Sequence, residues 1–405
     1  MKARKVVLVD AIRTAFGRAG EKGVFWNTRA DDMVVKVIRE LMSRNPQLKP
    51  EMVEENAWGV FCQEKDQGLT LGRTSVILSG LPETVAGYSI DRMCAGGMSA
   101  ITTAASAIAL GGCDVAIAGG VEHMGHHPMG ATADPNPRFL TDKLVDQSAM
   151  SMGMTAENLH DMFPEISKEM TDEYSMLCQQ KAAKAIQSGK IGEMIVPMTV
   201  YTKNGWVVAD KDEQPRPETT LEGLGKLKTP FRVMGKVTAG NSSGLNDGAA
   251  GCILMTAEKA EELGLQPKME LKAFAYAGVK PEIMGIGPIP ATHRALKNAG
   301  LTIDDIGLIE LNEAFAVQAI AFMNEFGLKF PDEPKMNIYG GAIAFGHPLA
   351  SSGVRLACHL MHGFKEHPEV KYGLTTMCVG LGQGGTVVWK NLQRDGKKEA
   401  KDRKE

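Results

Sequence analysis

The fold class of this 405-residue chain is decided by one stretch, ITTAASAIALGG at residues 101–112, and by the VAIAGG that follows at residues 115–120. The ten residues before the glycine pair carry no charge and are dense in alanine, and a helix that is apolar on every side is a buried helix. The glycines end this helix, and the apolar run after them has the length of a buried strand. The stretch therefore predicts a buried helix followed by a buried strand.

The same alternation of strand and helix runs through both halves of the chain. We predict strands at residues 6–9, 58–61, 115–118, 306–311, 374–378 and 386–389, and helices at residues 30–44, 101–110, 292–299, 314–326 and 352–364. This alternation predicts α/β layers around mostly parallel sheets. Each half also has a long apolar helix entered from a loop with a reactive side chain, which indicates an internal duplication.

Between the two halves, from about residue 125 to 244, the chain is rich in Met, Pro and polar residues. Runs such as Asp210 to Pro217 are typical of exposed loops, so this region is predicted to be an insertion or lid. The predicted domains are an N-terminal α/β domain at 1–121, completed by 245–268, an inserted loop domain at 122–244 and a C-terminal α/β domain at 269–392. A charged tail follows at 393–405.

Composition excludes several classes of protein. The formal net charge of −3 gives no bulk attraction to nucleic acid or to an acidic membrane surface. The seven cysteines are odd in number and form no C-x-x-C pair, which argues against a disulfide framework and a zinc ribbon. We see no secretory leader and no apolar run near the roughly 18 residues of a membrane span. A cytoplasmic protein without a membrane span is therefore expected.

Two strings combine a reactive side chain with glycines. Cys94 lies in DRMCAGGMSA, at the junction of a loop and the uncharged helix, where free N–H groups and the helix dipole favour a thiolate. His347 lies in GGAIAFGHP, held between a glycine and a proline in a stiff loop, where it can serve as the base for a thiol. Taken alone, each is as readily a structural residue.

Three further strings contain polar groups or thiols at the ends of apolar elements. In MCVGLGQGG at 377–385, Cys378 precedes a glycine-rich turn, where an exposed thiol and the N–H groups of an oxyanion hole can lie together. A plain strand-ending turn also explains the glycines. In NEAFA at 312–316, Asn312 is either a site residue or only a helix cap. The string GNSSGLNDG at 240–248 is polar and flexible enough to follow the amides of a ligand.

Two other patterns are weaker. His123, His126 and His127 resemble a metal cluster, but their spacing is not that of ligands on a helix, so no metal is expected. The glycines of 380–385 lack the Lys-Ser/Thr ending of a phosphate-binding loop and the βαβ setting of a dinucleotide fingerprint.

Together these strings resemble the thiolase family, from Val6 to Trp389. The order and spacing of the strings carry the resemblance, which includes VDAIRT at 9–14, GGVEHM at 119–124, TAEN at 155–158 and VTAGN at 237–241, besides NEAFA, GHP and CVGLGQG. The family implies duplicated α/β layers, with mixed sheets packed on buried helices and an inserted loop domain that binds coenzyme A.

The resemblance also implies a mechanism. Cys94 would attack the ketone carbon of a 3-ketoacyl-CoA, with His347 as its base, and Cys378 would protonate the acetyl-CoA enolate. One oxyanion would be held by His347 with a water on Asn312, and the other by the N–H groups of Cys94 and Gly380. Coenzyme A is then a substrate, and no cofactor or metal is needed.

The remaining implied site residues bind the substrate. Ser243 would contact the pantetheine arm, Arg216 would lie near the adenine end, and Met152 and Phe315 would line the acyl and pantetheine pocket. A homodimer or homotetramer is implied. So is a possible complex with a subunit that carries hydratase and dehydrogenase activities.

Some residues depart from the family pattern, and others bear on the subclass. The family usually has Asn at Asp91, a serine-glycine pair at residues 96–97 and glycine-cysteine at residues 350–351. The string EHMGHHPM at 122–129 and Ser151 before Met152 favour degradation of 3-ketoacyl-CoA in fatty acid β-oxidation. The alternatives are a biosynthetic acetyl-CoA acetyltransferase and, less favoured, a non-catalytic acyl-CoA-binding protein. A synthase that condenses a malonyl unit normally lacks Cys378.

Overall fold

A computed structural model describes residues 3–131 and 133–394 of the chain. Most of the predicted charged tail, from residue 395 onward, lies outside the described residues. The strands are β1 (Val6–Arg13), β2 (Gly17–Arg18), β3 (Glu55–Gly59), β4 (Ala86–Ile90), β5 (Val115–His123), β6 (Met198–Thr202), β7 (Gly205–Ala209), β8 (Asn246–Thr256), β9 (Met269–Gly278), β10 (Ile306–Leu311), β11 (Tyr372–Val379) and β12 (Gln383–Asn391).

Helices lie between these strands. They are α1 (Ala30–Arg44), α2 (Leu71–Ser79), α3 (Gly96–Leu110), α4 (Arg138–Thr141), α5 (Met152–Met162), α6 (Lys168–Gln187), α7 (Lys190–Met194), α8 (Leu221–Gly225), α9 (Ala257–Glu262), α10 (Pro288–Ala299), α11 (Ala316–Glu325), α12 (Ala342–Phe345) and α13 (Ser352–Glu366). Short 3₁₀ helices lie at Pro50–Met52, Lys65–Gln67, Met93–Ala95, Gln147–Met150, Pro281–Ile286, Ile303–Asp305 and Leu349–Ser351.

One large sheet contains the strands of both halves, in the order β4-β3-β5-β8-β1-β9-β12-β11-β10, with β2 on β8. In the first half, β3 and β5 are parallel, while β8 is antiparallel to both β5 and β1. The second half repeats this pattern, because β10 and β11 are parallel and β12 is antiparallel to both β11 and β9. The two halves join through a short β1–β9 ladder. The predicted duplication is therefore confirmed in the strand order.

The prediction of mostly parallel sheets is wrong, because the sheet is mixed. Only three residues separate β11 from β12, and strands joined so closely can pair only antiparallel, since a parallel connection needs a dozen or more residues. Leu381 and Gly382 supply the left-handed backbone of this hairpin, with φ of 58° and 76°. The mixed sheets that the family resemblance implies are the ones observed.

Most predicted elements are present, and for two of them the structure explains why they begin or end at a different residue from the one predicted. The predicted strand at 58–61 ends at Gly59, because the backbone N–H groups of Phe61 and Cys62 turn away to donate to the Glu122 carboxylate. The helix predicted from residue 314 begins at Ala316, because Phe315 is extended and forms a bridge with Ser242.

The helices α3 and α13, one from each half, pack against each other and against the sheet. Glycine allows this contact to be unusually close. A Cβ atom on Gly97 would lie 2.4 Å from the Ala350 carbonyl oxygen, and one on Gly353 would lie 2.5 Å from the Met98 nitrogen. The loops that enter the two helices are therefore held side by side.

The expectation that no apolar run approaches the length of a membrane span is wrong. The 18 residues Met93–Leu110 form a continuous helical segment with a mean hydropathy of 1.5, which is long and apolar enough to cross a bilayer. Of this segment, 61% is buried inside the protein. It is the same apolar helix that the sequence predicts to be buried, so its hydropathy is accounted for by packing in the core.

The region between the halves contains helices α4 to α8 and the β6–β7 hairpin. The run from Asp210 to Pro217 is irregular, as predicted, but it is not wholly exposed. Both carboxylate oxygens of Asp212 accept hydrogen bonds from the Arg13 guanidinium, at 2.6 and 2.7 Å, and the Phe16 N–H also donates to Asp212. Neither side chain of the ion pair is exposed. The pair fastens this loop to the end of β1.

We expect the Asp212→Ala variant to lose about 3–5 kcal/mol of unfolding free energy, because it leaves the Arg13 charge buried and unpaired. Equilibrium urea unfolding measures the change. The matched control is Glu222→Ala, which breaks an ion pair whose Lys226 and Glu222 side chains are 72% and 80% exposed. That variant should lose less than about 1 kcal/mol. Similar small losses in both variants would show that the buried pair does not anchor the loop.

Candidate active site

Cys94 lies half-buried in the 3₁₀ turn Met93–Ala95, directly before α3. Met93 has a φ of +43°, which is strained for a residue with a side chain. Its N–H donates to the Asp91 carboxylate at 2.6 Å, an interaction that an asparagine oxygen can also accept. Asp91, where the family usually has Asn, therefore still provides the side-chain oxygen that accepts the hydrogen bond of the turn.

The Cys94 thiol is not the thiolate that its place at a helix N-terminus predicts. Burial raises its pKa to about 12. The backbone N–H groups of Gly380 and of Cys94 itself bond to the sulfur and lower the pKa, but by less than burial raises it. The negative charges of Glu122 and Asp91 raise the pKa further. The prediction of a favoured thiolate is wrong for the resting protein, because desolvation outweighs the helix terminus.

The backbone of Gly380 lies close to the Cys94 sulfur. It begins the turn after β11, and its N–H is one of the two that bond to the Cys94 sulfur. A Cβ atom here would lie 2.6 Å from the Met93 sulfur and 3.8 Å from the Met152 sulfur. The structure thus groups Gly380 with Cys94 and places the Met152 side chain near Gly380.

Cys378 lies near the end of β11 and is fully buried, so the prediction of an exposed thiol is wrong. Its S–H donates to the Gln318 side-chain oxygen at 3.3 Å. Burial raises its pKa above the ordinary value, and the nearby Cys94 raises it further. Both thiols are therefore protonated, and each comes from a different half of the fold.

His347 is 5% exposed and lies in the loop between α12 and α13. Its backbone N–H donates to Asn246 Oδ1 at 3.0 Å, Nδ1 lies 2.5 Å from Ser352 Oγ, and Nε2 lies 3.4 Å from Asn312 Nδ2. Burial, together with the positive charge of Arg355, lowers the pKa of the imidazole to about 3. The ring is neutral at physiological pH, which is the form that a base requires.

Asn312 is not a helix cap, because α11 begins four residues later and its N-cap is Phe315. Its side chain is buried between His347 and Arg355, and Arg355 Nη2 donates to its Oδ1 at 3.1 Å. Its backbone N–H donates to the Thr376 carbonyl oxygen on β11. The amide is therefore fixed next to the imidazole.

Sequence reasoning missed the residues that hold this set in place. Ser352 and Arg355 on α13, Gln318 on α11 and Asn246 on β8 each contact a predicted site residue. Ser352 follows His347 closely in the sequence, so its proximity to the imidazole was the one available signal. Asn246 lies in the 240–248 string that was predicted to follow a ligand, but its contact with His347 was not predicted. Gln318 lies six residues after Asn312 and also donates to its carbonyl oxygen at 3.2 Å. Arg355 is distant in sequence from Asn312, and no local pattern marks it.

Glu313, the neighbour of Asn312, organises the other side of the His347 loop. Its buried carboxylate accepts hydrogen bonds from Tyr174 Oη at 2.8 Å, from Asn337 Nδ2 at 2.5 Å and from the Ile343 N–H at 3.2 Å. These bonds connect α6 and the start of α12 to the 312–316 segment. The GGAIAFGHP loop is thereby anchored at its beginning as well as at His347.

The predicted ligand loop at 240–248 lies against the NEAFA segment. The Ser243 N–H donates to the Ala314 carbonyl oxygen and the Ala316 N–H donates to the Asn241 carbonyl oxygen, both at 2.9 Å. Phe315 is buried at this junction. Ser243 and Phe315 are thus brought together, next to Asn312.

Arg216 is exposed, and its backbone N–H donates to the Gln179 side-chain oxygen at 2.8 Å. The structure places it on the inserted region near α6, not among the catalytic side chains. This position suits a contact with a distal part of a long ligand, the role that the family resemblance assigns.

The histidines at 123, 126 and 127 have other partners. His127 Nε2 lies 2.5 Å from Asp66 Oδ1, His123 Nε2 lies 3.0 Å from the Phe25 carbonyl oxygen, and His126 Nε2 lies 2.7 Å from the Trp26 carbonyl oxygen. In residues 3–131 and 133–394, no group of three or more His, Cys, Asp or Glu side chains is arranged to hold a metal ion.

The chain matches known proteins over nearly its whole length. Residues 6–258 match the family described as "Thiolase, N-terminal domain", and residues 265–391 match "Thiolase, C-terminal domain". A 3-ketoacyl-CoA thiolase of Photobacterium profundum is 45% identical over 389 residues, which cover 96% of this chain and 99% of that protein. One from Stutzerimonas stutzeri is 45% identical over 394 residues, 97% of this chain and all of that protein.

Two solved structures share the fold, each covering 96% of this chain and 99% of its own. The Bacillus anthracis acetyl-CoA acetyltransferase matches with a TM-score of 0.86 and 37% identity. Human mitochondrial 3-ketoacyl-CoA thiolase matches with a TM-score of 0.86 and 34% identity. The predicted resemblance and fold are confirmed, and the chain belongs to the thiolase family.

Proposed function

We propose that this protein is a 3-ketoacyl-CoA thiolase, an acyltransferase that cleaves 3-ketoacyl-CoA with coenzyme A to give acetyl-CoA and a shortened acyl-CoA. The observation that carries the proposal is the proximity of two thiols: Cys94 acts electrostatically on Cys378, and the N–H of Gly380, two residues after Cys378, bonds to the Cys94 sulfur. One thiol can carry an acyl group while the other handles a proton, which is the division of labour that carbon–carbon cleavage requires.

In the proposed mechanism, His347 takes the proton of the Cys94 thiol as its sulfur attacks the ketone carbon, C3. The bond between C2 and C3 breaks, and its electron pair stays on C2 as the enolate of acetyl-CoA. Cys378 gives its proton to C2, and acetyl-CoA leaves. The thiol of free coenzyme A then gives its proton to the Cys378 thiolate and attacks the acyl group on Cys94. Cys94 recovers its proton from His347.

Charge develops on oxygen twice in this sequence, and the structure offers donors for each. The N–H groups of Cys94 and Gly380 both bond to the Cys94 sulfur. We propose that the carbonyl oxygen of the acyl group on this sulfur accepts hydrogen bonds from them. His347, once protonated, and a water held by the Asn312 amide would form the second group of donors. Coenzyme A is a substrate here, and the chemistry requires no cofactor.

The inserted region supports the proposed binding of a coenzyme A thioester. Ser243 lies beside the catalytic segment 312–316 for the pantetheine arm, and exposed Arg216 lies farther out for the adenine end. Met152 and Phe315 would line the pocket for the pantetheine arm and the acyl chain. In this proposal the contact residues follow a coenzyme A thioester from its reacting thioester group to its nucleotide.

A biosynthetic acetyl-CoA acetyltransferase is the second candidate. The Bacillus anthracis structure bears that name and matches with the same TM-score as the human 3-ketoacyl-CoA thiolase, so the fold does not separate the two activities. The relatives at 43–45% identity are named 3-ketoacyl-CoA thiolase, which favours the degradative reaction and a role in fatty acid β-oxidation.

We further propose that the enzyme acts in the cytoplasm as a homodimer or homotetramer, and that it can associate with a hydratase and dehydrogenase subunit. For the oligomer, β4 lies at an end of the sheet, and α2 beside it exposes Ile77 and Leu78. An open sheet edge with apolar neighbours is a surface that a second copy can cover.

Thiolysis across a series of 3-ketoacyl-CoA substrates from four to sixteen carbons tests the proposed function. We expect activity on chains longer than acetoacetyl-CoA, measured by loss of the 3-ketoacyl-CoA absorbance in the presence of coenzyme A. Activity confined to acetoacetyl-CoA would instead establish the second candidate. Binding without turnover of any substrate would identify an acyl-CoA-binding protein.

Variants of the two cysteines test their separate roles. We expect Cys94→Ala to abolish the acyl-enzyme seen by intact mass after incubation with acyl-CoA, and to lower turnover by roughly 10⁴-fold or more. Cys378→Ala should still form the acyl-enzyme, while thiolysis falls by about 10²–10⁴-fold because the acid is missing. Cys62→Ala, which removes a thiol outside the proposed site, is the control. Equal loss of acylation in both site variants would mean that the roles are misassigned.

Alkylation by iodoacetamide tests the protonation state of Cys94. Because burial raises the pKa of this thiol to about 12, the thiolate fraction should increase about tenfold for each pH unit between pH 7 and 9. The labelling rate of the peptide that contains Cys94 should follow it, as measured by mass spectrometry of the unliganded enzyme. A rate that is constant above pH 7 would reveal a thiolate–imidazolium pair instead of two neutral groups.

A further inference from the structure

Four buried side chains form one continuous series of polar contacts behind the nucleophile. Arg355 Nη2 lies 3.1 Å from Asn312 Oδ1, Asn312 Nδ2 lies 3.4 Å from His347 Nε2, and His347 Nδ1 lies 2.5 Å from Ser352 Oγ. Ser352 and Arg355 are three residues apart on α13, so both lie on the same face of the helix. One helix thus contacts both ends of the Asn312–His347 pair.

The direction of these hydrogen bonds is set from the arginine end. A guanidinium has donors only, so the atom of Asn312 that faces Arg355 must be the carbonyl oxygen. The amide NH₂ of Asn312 then faces His347, and because that group can only donate, His347 Nε2 must present its lone pair. In a neutral imidazole the proton is then on Nδ1 and is donated to Ser352 Oγ. The Ser352 hydroxyl can either donate or accept a hydrogen bond, so it does not determine which nitrogen of His347 carries the proton.

We propose that Arg355 is a positioning residue that, through the Asn312 amide, holds His347 in the tautomer whose Nε2 carries the lone pair and can act as base. The inference rests on the proposed function, since it assigns which nitrogen of His347 takes the Cys94 proton. After that transfer, Nε2 carries a proton and can donate to the developing oxyanion. The same geometry therefore serves both the base and the later donor.

Hydrogen bonding to the rest of the fold does not explain why a buried arginine occupies position 355. Its side chain is fully buried, and its Nε and Nη1 atoms find no hydrogen-bond partner within the described chain. Leaving buried donors unsatisfied is destabilising, and an apolar side chain would avoid it. The buried carboxyl groups of Glu310 and Glu313 interact favourably with its charge. The one hydrogen bond that it makes among the described residues is the bond to Asn312.

The charge of Arg355 supports the same assignment. Together with burial, it lowers the pKa of His347 to about 3, so the imidazole stays neutral and keeps a lone pair. A neutral ring has two tautomers, however, and the charge alone does not choose between them. The choice comes from the donor and acceptor order that Arg355 imposes on Asn312.

The tautomer can be read directly by ¹⁵N NMR of histidine-labelled enzyme without substrate, since protonated and unprotonated ring nitrogens resonate far apart. The His347 signals are assigned among nine histidines by their loss in His347→Asn. We expect a protonated Nδ1 and an unprotonated Nε2. A protonated Nε2 in the wild-type enzyme would overturn the inference.

Two variants test the cause. Asn312→Asp replaces the NH₂ group that faces Nε2 with a carboxylate oxygen while leaving an oxygen acceptor for Arg355, so the proton should move from Nδ1 to Nε2. Arg355→Met frees the amide to rotate and should give a mixture of tautomers, with the acylation rate of Cys94 falling about tenfold or more. Arg355→Lys, which keeps a donor and the charge, should restore the wild-type signals. Unchanged signals in Arg355→Met would refute a role for Arg355, and unchanged signals in Asn312→Asp would refute its action through the amide.

The result is separable from the proposed function, because the spectra need no turnover. The expected tautomer in an enzyme that fails to cleave any 3-ketoacyl-CoA would refute only the proposed function. Thiolysis by an enzyme with the opposite tautomer would refute only the role of Arg355. If Arg355→Met does not fold, Arg355→Gln decides, since a Gln amide can present either an oxygen or an NH₂ group to Asn312 and no longer fixes the direction. Unchanged signals in that variant would refute the role of Arg355.

Discussion

The carbonyl oxygen of Ala350 lies so close to α3 and β5 that a Cβ atom on Gly97 would approach it to 2.4 Å and one on Gly120 to 2.2 Å. This contact between backbones joins the two halves at the position where each half contributes its reactive loop. Cys94 precedes α3 by one turn, and His347 precedes α13 by one turn. If either glycine carried a side chain, its Cβ atom would collide with this carbonyl oxygen and push the two loops apart.

Close packing also decides the electrostatics of the site. Burial raises the pKa of both thiols and lowers that of His347, so the resting groups are neutral although they are acids and bases. Charge must then be created during the reaction, next to donors that are already in place. A buried Arg355 and a buried Glu313 hold these donors through Asn312 and through the His347 loop. The site therefore depends on fixed geometry more than on an ionised nucleophile.

The duplicated architecture explains why the proposed catalytic residues are so far apart in the sequence. Each half supplies a buried helix and the loop that enters it, and the strand order repeats from one half to the other. The second half adds the β11–β12 hairpin, which carries Cys378 and Gly380 to the nucleophile of the first half. The inserted region is fastened to the sheet by the Arg13–Asp212 pair, in which Asp212 lies four residues before Arg216.

The sequence by itself determined the α/β class, the internal repeat, the family and the candidate residues, because apolar runs, glycine clusters and short motifs are local properties of the chain. Only the tertiary structure decided that the sheet is mixed, that Cys378 is buried and that Cys94 is a neutral thiol. Those properties depend on desolvation and on partners from other elements. Asn312 could be read as a cap from its neighbours alone, and its contact with Arg355, 43 residues away, appears only when α13 packs beneath it.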